Sequence, residues 1–409
     1  MKDYKKVIIF YPMTDKLACG ITFANLFKGW PAEKLAVIAD GTDETFVEKQ
    51  FGKGVRCIPL YADNLVPKTN YRSDSFKASL RRWVSEKFGL ADIRARSDVP
   101  AKVLSFIDEF KPDVLFTPLG TLTSISFFNN LLSFRKIPVA VHIMDDWPVT
   151  IYDNRFFSRF WANKYEKEVS AFFNKTSYFL SICEAMENEY LLRYGKDFIP
   201  FFNPVEPESW KGKKNRKFAQ DSTVRIVFTG KINVDTFQPL YDMCRAVEMA
   251  SAELNIDFCF DIYSPVKDER LLALTKDYTH CHLKGFVTHD KIPGILMDHD
   301  ILFLPFSFSK HTKEYLKLSM STNTAEYLIS QTPILFYGPD ILAQYDFYSK
   351  RQSAFYVIHE SVDELKKQIE FIVKNPEQVK KVVGAALNVV EKECSVDVVC
   401  PRFKSVFEK

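Results

Sequence analysis

The sequence predicts an α/β fold made of two doubly wound domains, and three observations support this prediction. Short apolar runs alternate with helical patterns along most of the 409 residues. The runs are continuously apolar, as is typical of parallel strands that helices cover on both faces. They fall into two sets, separated by the polar and basic stretch 206–222, and a chain of this length exceeds one ordinary core.

The candidate strands of the first set precede residue 206. They are VIIFY (7–11), LAVIAD (35–40), VRCIPL (55–60), DVLFTP (113–118), PVAVHIMD (138–145), YFLSIC (178–183) and FIPFFN (198–203). The second set follows residue 222. It comprises RIVFTG (225–230), FCFDIYS (258–264), HLKGF (282–286), ILFLPF (301–306), PILFYG (333–338) and AFYVIH (354–359). Ligands of such sheets bind at the carboxyl ends of the strands.

These sets predict the domain organisation. We expect an N-terminal domain at 1–205, a linker at 206–222 and a C-terminal domain at 223–395. The tail 396–409 is expected to pack back toward the first domain. The alternative for 206–222 is a surface loop within a single domain.

Composition narrows the class of protein. Hydrophobic residues make up 46% and charged residues 26%, which is normal for a soluble globular protein. A net charge of +3 argues against wholesale nucleic-acid binding. No apolar run approaches the roughly 18 residues of a spanning helix. The N-terminal MKDYKKVIIFYPMTDK reads as a first strand rather than a signal peptide, so we expect a cytoplasmic protein.

Cofactor and metal motifs are missing. The eight cysteines are scattered without a C-x-x-C pair, which favours reduced core thiols over a metal site. No G-x-G-x-x-G follows VIIFY, so a nicotinamide enzyme is disfavoured. There is also no P-loop and no G-x-S-x-G elbow. We therefore expect no metal and no cofactor.

The stretch SMSTNTAEYLISQTPILFYGP (319–339) combines a polar turn, a helix and a buried strand. Ser321, Thr322 and Asn323 are all good helix N-caps, and Glu326 follows about one turn later. The helix should run to about Ser330. Its N-terminus is a place where an anion could bind. A helix N-cap without a ligand is the alternative.

Other segments with small, basic or acidic residues at strand ends follow a fixed order along the chain. They are ACGITFANLF, VAVHIMDDWP, YFLSICEAMENEYLLRYG, RIVFTGKI and HLKGFVTHDKIPGILMDHDILFLPF. From about residue 5 to the C-terminus, their order and spacing resemble the GT-B nucleotide-sugar glycosyltransferases, in particular the retaining group called family 4. The resemblance implies two Rossmann-like domains facing a central cleft.

The resemblance also implies an activity. Members transfer a sugar from a nucleotide-diphosphate sugar, here a UDP- or GDP-sugar, to a glycan or lipid-linked acceptor, usually without a metal. We expect retention of the anomeric configuration and a role in surface polysaccharide or glycoconjugate synthesis. Two other classes remain open: a sugar-nucleotide 2-epimerase, which uses the same architecture, and a non-catalytic GT-B binding subunit.

The diphosphate side of the donor site is expected at RIVFTGKI, where Gly230 and Lys231 match the family's glycine and basic residue. A glycine lets the ligand approach the backbone, and a lysine supplies positive charge. Many members carry a second lysine several residues on, where this chain has TFQ (236–238). The candidates for that second charge are Lys310, Lys313 and Lys317, each of which could equally be a solvated surface residue.

The nucleobase is expected beside Gly285, Phe286 and Val287, although Phe286 could instead belong to the core. The resemblance places Glu326 at the donor ribose, where an ionised carboxylate can accept from both hydroxyls.

The N–H groups around Ser321, Thr322 and Asn323 are then expected to face the diphosphate. Leu318 occupies the position of the family's first glutamate.

In the first domain, Gly20 matches the family's glycine turn that faces the donor and acceptor. His142, Asp145 and Asp146 form the only dense polar cluster at a strand end of this domain. The resemblance assigns such a cluster to the catalytic cleft. Loop solvation and helix capping are the alternatives. Asp145 and Asp146 are the first candidates for a base.

A membrane contact is a further hypothesis. The segment SFKASLRRWVSEKF (75–88) places apolar residues, including a tryptophan, on one helical face and basic residues near the other. This pattern suits an anionic membrane interface, and so a location at the inner face of a membrane. The segment 154–167 has a similar mix. The alternative is a surface helix that packs on its own domain.

Overall fold

The computed structural model describes residues 4–61, 87–88, 97–147, 156–212, 218, 222–265, 272 and 275–408. The chain divides into two compact units, Met1–Phe202 with Cys400–Lys409, and Asn203–Val399. Each unit contains one sheet whose described strand pairs are all parallel. The predicted two-domain α/β fold is confirmed.

The sheet of the first unit is built from the continuously apolar runs. Its described strands are β1 (Val7–Ile9), β2 (Leu35–Ile38), β3 (Arg56–Ile58), β4 (Val114–Pro118), β5 (Val139–Ile143), β6 (Tyr178–Ser181) and β7 (Ile199–Pro200). They are ordered β3-β2-β1-β4-β5-β6-β7. Side chains of β1, β2 and β5 are buried along their full length, because the sheet is covered on both faces.

Helices connect these strands, and local capping residues set where several begin. The described helices of this unit are α1 (Ala18–Leu26), α2 (Glu44–Phe51), α3 (Ala101–Phe110), α4 (Leu122–Phe134), α5 (Ser158–Phe173) and α6 (Glu184–Tyr194). Asp43 caps α2 by accepting from two backbone N–H groups. At α4, Thr121 and Ser124 form a reciprocal capping box.

The core of the first unit is rich in aromatic rings. Phe27 contacts Phe116 edge-on, with ring centroids 5.1 Å apart. Phe403, from the C-terminal helix, contacts Phe27 at 5.0 Å and Trp30 at 6.5 Å. Edge-to-face packing of this kind adds to the burial of the rings. The C-terminal residues therefore complete the core of the first unit.

The sheet of the second unit has the same design. Its described strands are β8 (Thr223–Thr229), β9 (Asp257–Tyr263), β10 (Cys281–Gly285), β11 (Ile301–Pro305), β12 (Ile334–Tyr337) and β13 (Phe355–Val357). They are ordered β10-β9-β8-β11-β12-β13, which makes β10 an edge strand.

Its described helices are α7 (Phe237–Leu254), α8 (Ile292–Met297), α9 (Lys310–Tyr315), α10 (Thr324–Ile329), α11 (Ala343–Arg351), α12 (Val362–Lys374) and α13 (Pro376–Val389). The last helix, α14 (Val396–Val406), continues from this unit into the residues that belong to the first. A short 3₁₀ helix, His289–Lys291, precedes α8.

The change from one unit to the other comes slightly earlier than the predicted boundary after residue 205. The Asn203 side chain donates to the Thr322 carbonyl at 3.0 Å, and Val205 forms a β-bridge with Ser395. These bonds join 203–205 to the second unit. Within the predicted linker 206–222, Trp210 is buried, while part of the segment lies outside the described residues.

Segment 75–88 lies outside the described residues except for its last two. In 154–167, Trp161 and Tyr165 are buried, whereas Phe157 and Phe160 are 71% and 61% exposed. Throughout the described ranges, every helix is too short or too polar to cross a membrane.

Candidate functional site

Glu326 occupies a buried position on α10 of the second unit. Only 8% of the residue is exposed, and its Oε1 lies 2.8 Å from Nε2 of His289. A buried carboxylate needs hydrogen-bond donors, and this ring nitrogen supplies one. The histidine therefore orients Glu326. Sequence reasoning did not identify His289, although it lies shortly after the predicted base-side glycine.

Two polar contacts join α10 to the end of β8. The Tyr327 hydroxyl lies 3.3 Å from Thr229 Oγ1, and the Asn323 amide donates to the Thr229 carbonyl at 3.4 Å. Thr229 is followed directly by Gly230. The structure thus brings the predicted ribose carboxylate and the predicted diphosphate turn to the same end of the sheet.

Gly230 and Lys231 differ sharply in their surroundings. The Gly230 N–H donates to the Tyr263 carbonyl at 3.0 Å, and an added Cβ would approach the Phe228 ring to 2.9 Å. A side chain at this position would therefore have to displace the Phe228 ring. Lys231 is exposed, and no acidic side chain of the described residues pairs with it. Its charge is directed into solvent beside the strand end.

The predicted base side begins at Gly285, whose φ of +80° is a left-handed conformation that favours glycine. Phe286 is 69% exposed, which rules out the core position considered as its alternative. Val287 is half-buried. The chain then enters the 3₁₀ helix that carries His289. The base-side segment and Glu326 are therefore linked through one hydrogen bond.

The polar turn before α10 is more fully bonded than the sequence predicts. Ser321 N–H donates to Gln344 Oε1 at 2.7 Å, and Asn323 N–H to Ser321 Oγ at 3.4 Å. The helix begins at Thr324, and the Asn323 side chain forms no cap. Two of the predicted phosphate donors, Ser321 and Asn323, therefore already have partners, whereas no bond to the Thr322 N–H is described.

The loop after β8 is anchored by Asp235, which sequence reasoning missed. Asp235 Oδ1 accepts from the Thr312 hydroxyl at 2.7 Å and lies 3.4 Å from Nδ1 of His311. Its carbonyl accepts from Ser307 N–H at 2.7 Å. Of the lysines considered for a second charge, Lys310 lies 3.6 Å from Glu314. Asp235 is far in the sequence from its partners Thr312 and His311, so no local pattern predicts these contacts.

In the first unit, His142 lies in the core rather than at an open strand end. It is fully buried within β5, and its Nε2 lies 3.3 Å from the Ser181 carbonyl. Burial lowers the pKa of the imidazole to about 4, so the ring is neutral at physiological pH. A side chain enclosed in this way is not placed to contact a substrate.

Asp146 is also enclosed. Its carboxylate accepts from two nitrogens of Arg193, at 2.8 and 3.0 Å, and from the Tyr190 hydroxyl at 3.2 Å. Arg193 donates in turn to Glu189. The geometry is that of a bidentate buried ion pair, which holds α6 to the end of β5. Asp146 therefore has a structural role here.

Asp145 lies beside a cavity of about 480 Å³ at the carboxyl ends of β1, β4 and β5. The lining is largely apolar and aromatic, and includes Phe10, Tyr11, Cys19, Phe127, Met144 and Trp147. Burial raises the pKa of Tyr11 well above its usual range, with smaller contributions from Cys19 and Asp145. Of the three residues in the predicted polar cluster, Asp145 alone lines this cavity.

Gly20 is explained by packing. It is buried in α1, and an added Cβ would lie 2.6 Å from the Thr14 carbonyl oxygen and 3.1 Å from that of Pro12. Backbone atoms cannot retreat as a flexible side chain can. Gly20 thus allows α1 to approach the loop that follows β1.

The architecture matches solved structures over nearly the whole chain. A glycosyltransferase from Rickettsia africae gives a TM-score of 0.67 at 10% identity, covering 99% of this chain and 98% of that one. HepE of Anabaena, in complex with UDP-glucose, gives a TM-score of 0.67 at 10% identity, and the match covers 99% of this chain and 100% of HepE. The chain has the GT-B fold. A putative UDP-N-acetylglucosamine 2-epimerase from Listeria monocytogenes gives a TM-score of 0.58 at 14% identity, and the match covers 99% of this chain and 97% of that one.

No family model and no curated protein sequence matches the chain. At such low identities, the structural similarity establishes the GT-B fold alone. Arguments about activity therefore rest on the residues. In this GT-B protein, Glu326, His289, Gly230, Lys231 and the segment from Gly285 come together in the second unit.

Proposed function

We propose that the protein is a glycosyltransferase that transfers a sugar from a nucleotide-diphosphate sugar to an acceptor. The observation that carries the proposal is the buried Glu326 carboxylate, held by His289 at 2.8 Å beside the strand end that presents Lys231. A fixed carboxylate suits vicinal hydroxyls, and an exposed cation nearby suits a diphosphate. The two together match the chemistry of a nucleotide diphosphate.

In this proposal, each donor-side residue has one role. Glu326 accepts hydrogen bonds from the ribose hydroxyls, and the exposed ring of Phe286 lies against the nucleobase. Lys231 stabilises the negative charge that develops on the diphosphate as the glycosidic bond breaks. Gly230 allows the diphosphate to approach the backbone. No step requires a metal ion.

Asp145 is the proposed acceptor-side carboxylate, because it lines the first-unit cavity whereas His142 and Asp146 are enclosed. The acceptor is a glycan or a lipid-linked sugar in surface polysaccharide or glycoconjugate synthesis. The exposed Phe157 and Phe160 support a peripheral contact with the inner face of a membrane.

Retention of the anomeric configuration, as in the family 4 group, is part of the proposal. Leu318 is buried at the position of that group's first glutamate, so the stereochemistry must be determined directly. Proton NMR of the first-formed product distinguishes retention from inversion.

The first test is a thermal-shift screen of UDP, GDP and their sugar conjugates with the wild type and Glu326→Ala. UDP is the first nucleotide to test, since HepE of Anabaena was solved with UDP-glucose. We expect one nucleotide to raise the Tm of the wild type, with the shift lost in the variant. No shift with any nucleotide at millimolar concentration contradicts the proposal and favours a non-catalytic binding subunit.

An epimerase is the second candidate, because a putative UDP-N-acetylglucosamine 2-epimerase shares the fold with a TM-score of 0.58. An epimerase needs no acceptor. Incubation with the donor alone, followed by NMR of the sugar, separates the two activities. Formation of an isomer without acceptor would replace the transferase proposal.

A further inference from the structure

Cys259, Asp261 and His282 lie together on β9 and the edge strand β10 of the second-unit sheet. Cys259 and Asp261 are two residues apart on β9, so their side chains project from the same face. The parallel register pairs His282 of the edge strand β10 with Asp261. Three side chains of different chemistry therefore meet on one face of two neighbouring strands.

The three polar atoms are almost equally spaced. Cys259 Sγ lies 3.3 Å from Asp261 Oδ1 and 3.4 Å from His282 Nδ1, and the nitrogen lies 3.4 Å from the same oxygen. In a tetrahedral zinc site with usual bond lengths, ligand atoms are separated by about 3.3–3.6 Å. The arrangement therefore already has the dimensions of three corners of such a tetrahedron.

We propose that Cys259, Asp261 and His282 bind a zinc-like divalent metal ion, with water at the fourth position. A thiolate, an imidazole and a carboxylate are the ligands that zinc takes in proteins. Sequence patterns do not predict this site, because its ligands come from two strands without a recognised spacing. The proposal is independent of the donor-site chemistry.

The protonation states fit metal binding that is coupled to proton release. Without a metal, the Cys259 thiol donates its proton in a hydrogen bond to Asp261 Oδ1 at 3.3 Å. As the sulfur–metal bond forms, that proton leaves to solvent, and no electron transfer is involved.

The buried His299 contacts the Asp261 carboxylate on the side away from Cys259 and His282. His299 Nε2 lies 3.4 Å from Asp261 Oδ2, the oxygen that faces away from the cluster, and its Nδ1 lies 2.6 Å from the Ile295 carbonyl. Partners of this kind orient a ligating carboxylate and leave its other oxygen for the metal.

Lys284 is a cation on this face that competes with a metal ion for Asp261. Its Nζ lies 3.2 Å from Asp261 Oδ1, the oxygen proposed as ligand, and its side chain is 40% exposed. The long stem of a lysine can carry the ammonium into solvent when a metal ion enters. Removing the positive charge of Lys284 should therefore strengthen metal binding. If the cluster is only a hydrogen-bond network, the same change should not strengthen it.

The experiment is titration of the reduced full-length chain with Co²⁺, followed by thiolate-to-cobalt absorption, and Zn²⁺ competition against a chromophoric chelator. We expect one ion to bind per chain. At a free metal concentration about one hundred times the Kd, the Tm should rise by about 5 °C or more. Cys259→Ser and His282→Gln should each weaken binding at least about 100-fold, more than loss of an outer partner does. Lys284→Met should tighten it by about fivefold.

Cys57→Ser is the matched control, since Cys57 is another half-buried thiol whose pKa burial raises to about 11, and it lies in the first unit. It should bind metal as the wild type does. The proposal is overturned by the absence of a thiolate band, by equal affinity of Cys259→Ser and wild type, or by a Lys284→Met variant that binds no more tightly. His282 is exposed enough for its variant to fold, and circular dichroism checks this.

Discussion

The hydrogen bond between His289 and Glu326 predicts a defined loss of nucleotide affinity when the imidazole is removed. In His289→Ala, the carboxylate keeps its position on α10 but loses the donor 2.8 Å from Oε1. The carboxylate can then rotate away from the orientation needed by the ribose hydroxyls. The effect should fall on binding more than on folding, because His289 is itself 60% exposed.

The magnitude follows from the geometry. A hydrogen bond to a charged group contributes about 1.5–3 kcal/mol. Water can replace part of the interaction at an exposed histidine, so the lower figure applies, and about 1.5 kcal/mol corresponds to roughly a tenfold weaker Kd. Glu326→Ala should cost more, since it removes the contact with the ribose itself.

The assay is isothermal titration with the nucleotide that stabilises the wild type, using His289→Ala, Glu326→Ala and the double variant. We expect the double variant to bind no more weakly than Glu326→Ala, because the histidine acts through the carboxylate. Lys291→Ala, on the same 3₁₀ helix, is the control and should bind normally. Unchanged affinity in His289→Ala, with binding lost in Glu326→Ala, would refute the reasoning while leaving the donor site in place.

Four further predictions concern single residues. Lys231→Ala should lower kcat with the nucleotide sugar by about 100-fold in a coupled release assay, since it removes charge stabilisation of the leaving diphosphate. Arg193→Ala removes the cation paired with the buried Asp146 carboxylate and should cost about 3 kcal/mol in urea unfolding. His142 has a lowered pKa, so stability should be full above about pH 6.5 and fall toward pH 4, by an amount on the order of 3 kcal/mol that His142→Phe abolishes. Gly20→Ala should destabilise the chain by about 1–3 kcal/mol because of the clash in α1.

Matched controls exist for these variants. Lys367→Ala, at an exposed lysine of α12, should leave kcat unchanged. Arg135→Ala breaks an exposed pair with Asp108 and should leave the unfolding midpoint nearly unchanged. Gly384→Ala, in α13 with no atom near its added Cβ, should stabilise slightly. A prediction is wrong if its control variant shows the loss expected of the test variant, or if the test variant shows no loss.

The fold could be predicted because its signals are local. Continuous apolar runs such as VAVHI at 139–143 specify a buried parallel strand whatever surrounds them. The same locality bears on His142. His142 lies inside that run, so its neighbours already placed it in the core, whereas Asp145 and Asp146 come after the strand has ended. Position within the run was a better guide than residue type.

The site could be predicted only in part, since its geometry depends on contacts distant in sequence. Asp146 is neutralised by Arg193, and Ser321 N–H is occupied by Gln344. No local sequence pattern predicts that Arg193 or Gln344 makes these contacts. His289 lies within HLKGFVTHDKIPG, but only the fold shows that it meets Glu326.

The contribution of the C-terminal segment to the first unit has a consequence for biosynthesis. Phe403 and Phe407 contact Trp30 in the core of that unit, yet they are separated from it by the whole second unit in sequence. During translation at about 5–20 residues per second, the first unit must wait roughly 10–40 s for the residues that complete its core. Nascent chains should therefore expose an unfinished aromatic surface until Cys400–Lys409 have been synthesised, and chaperone dependence should be relieved by supplying these residues earlier, as in a circular permutant.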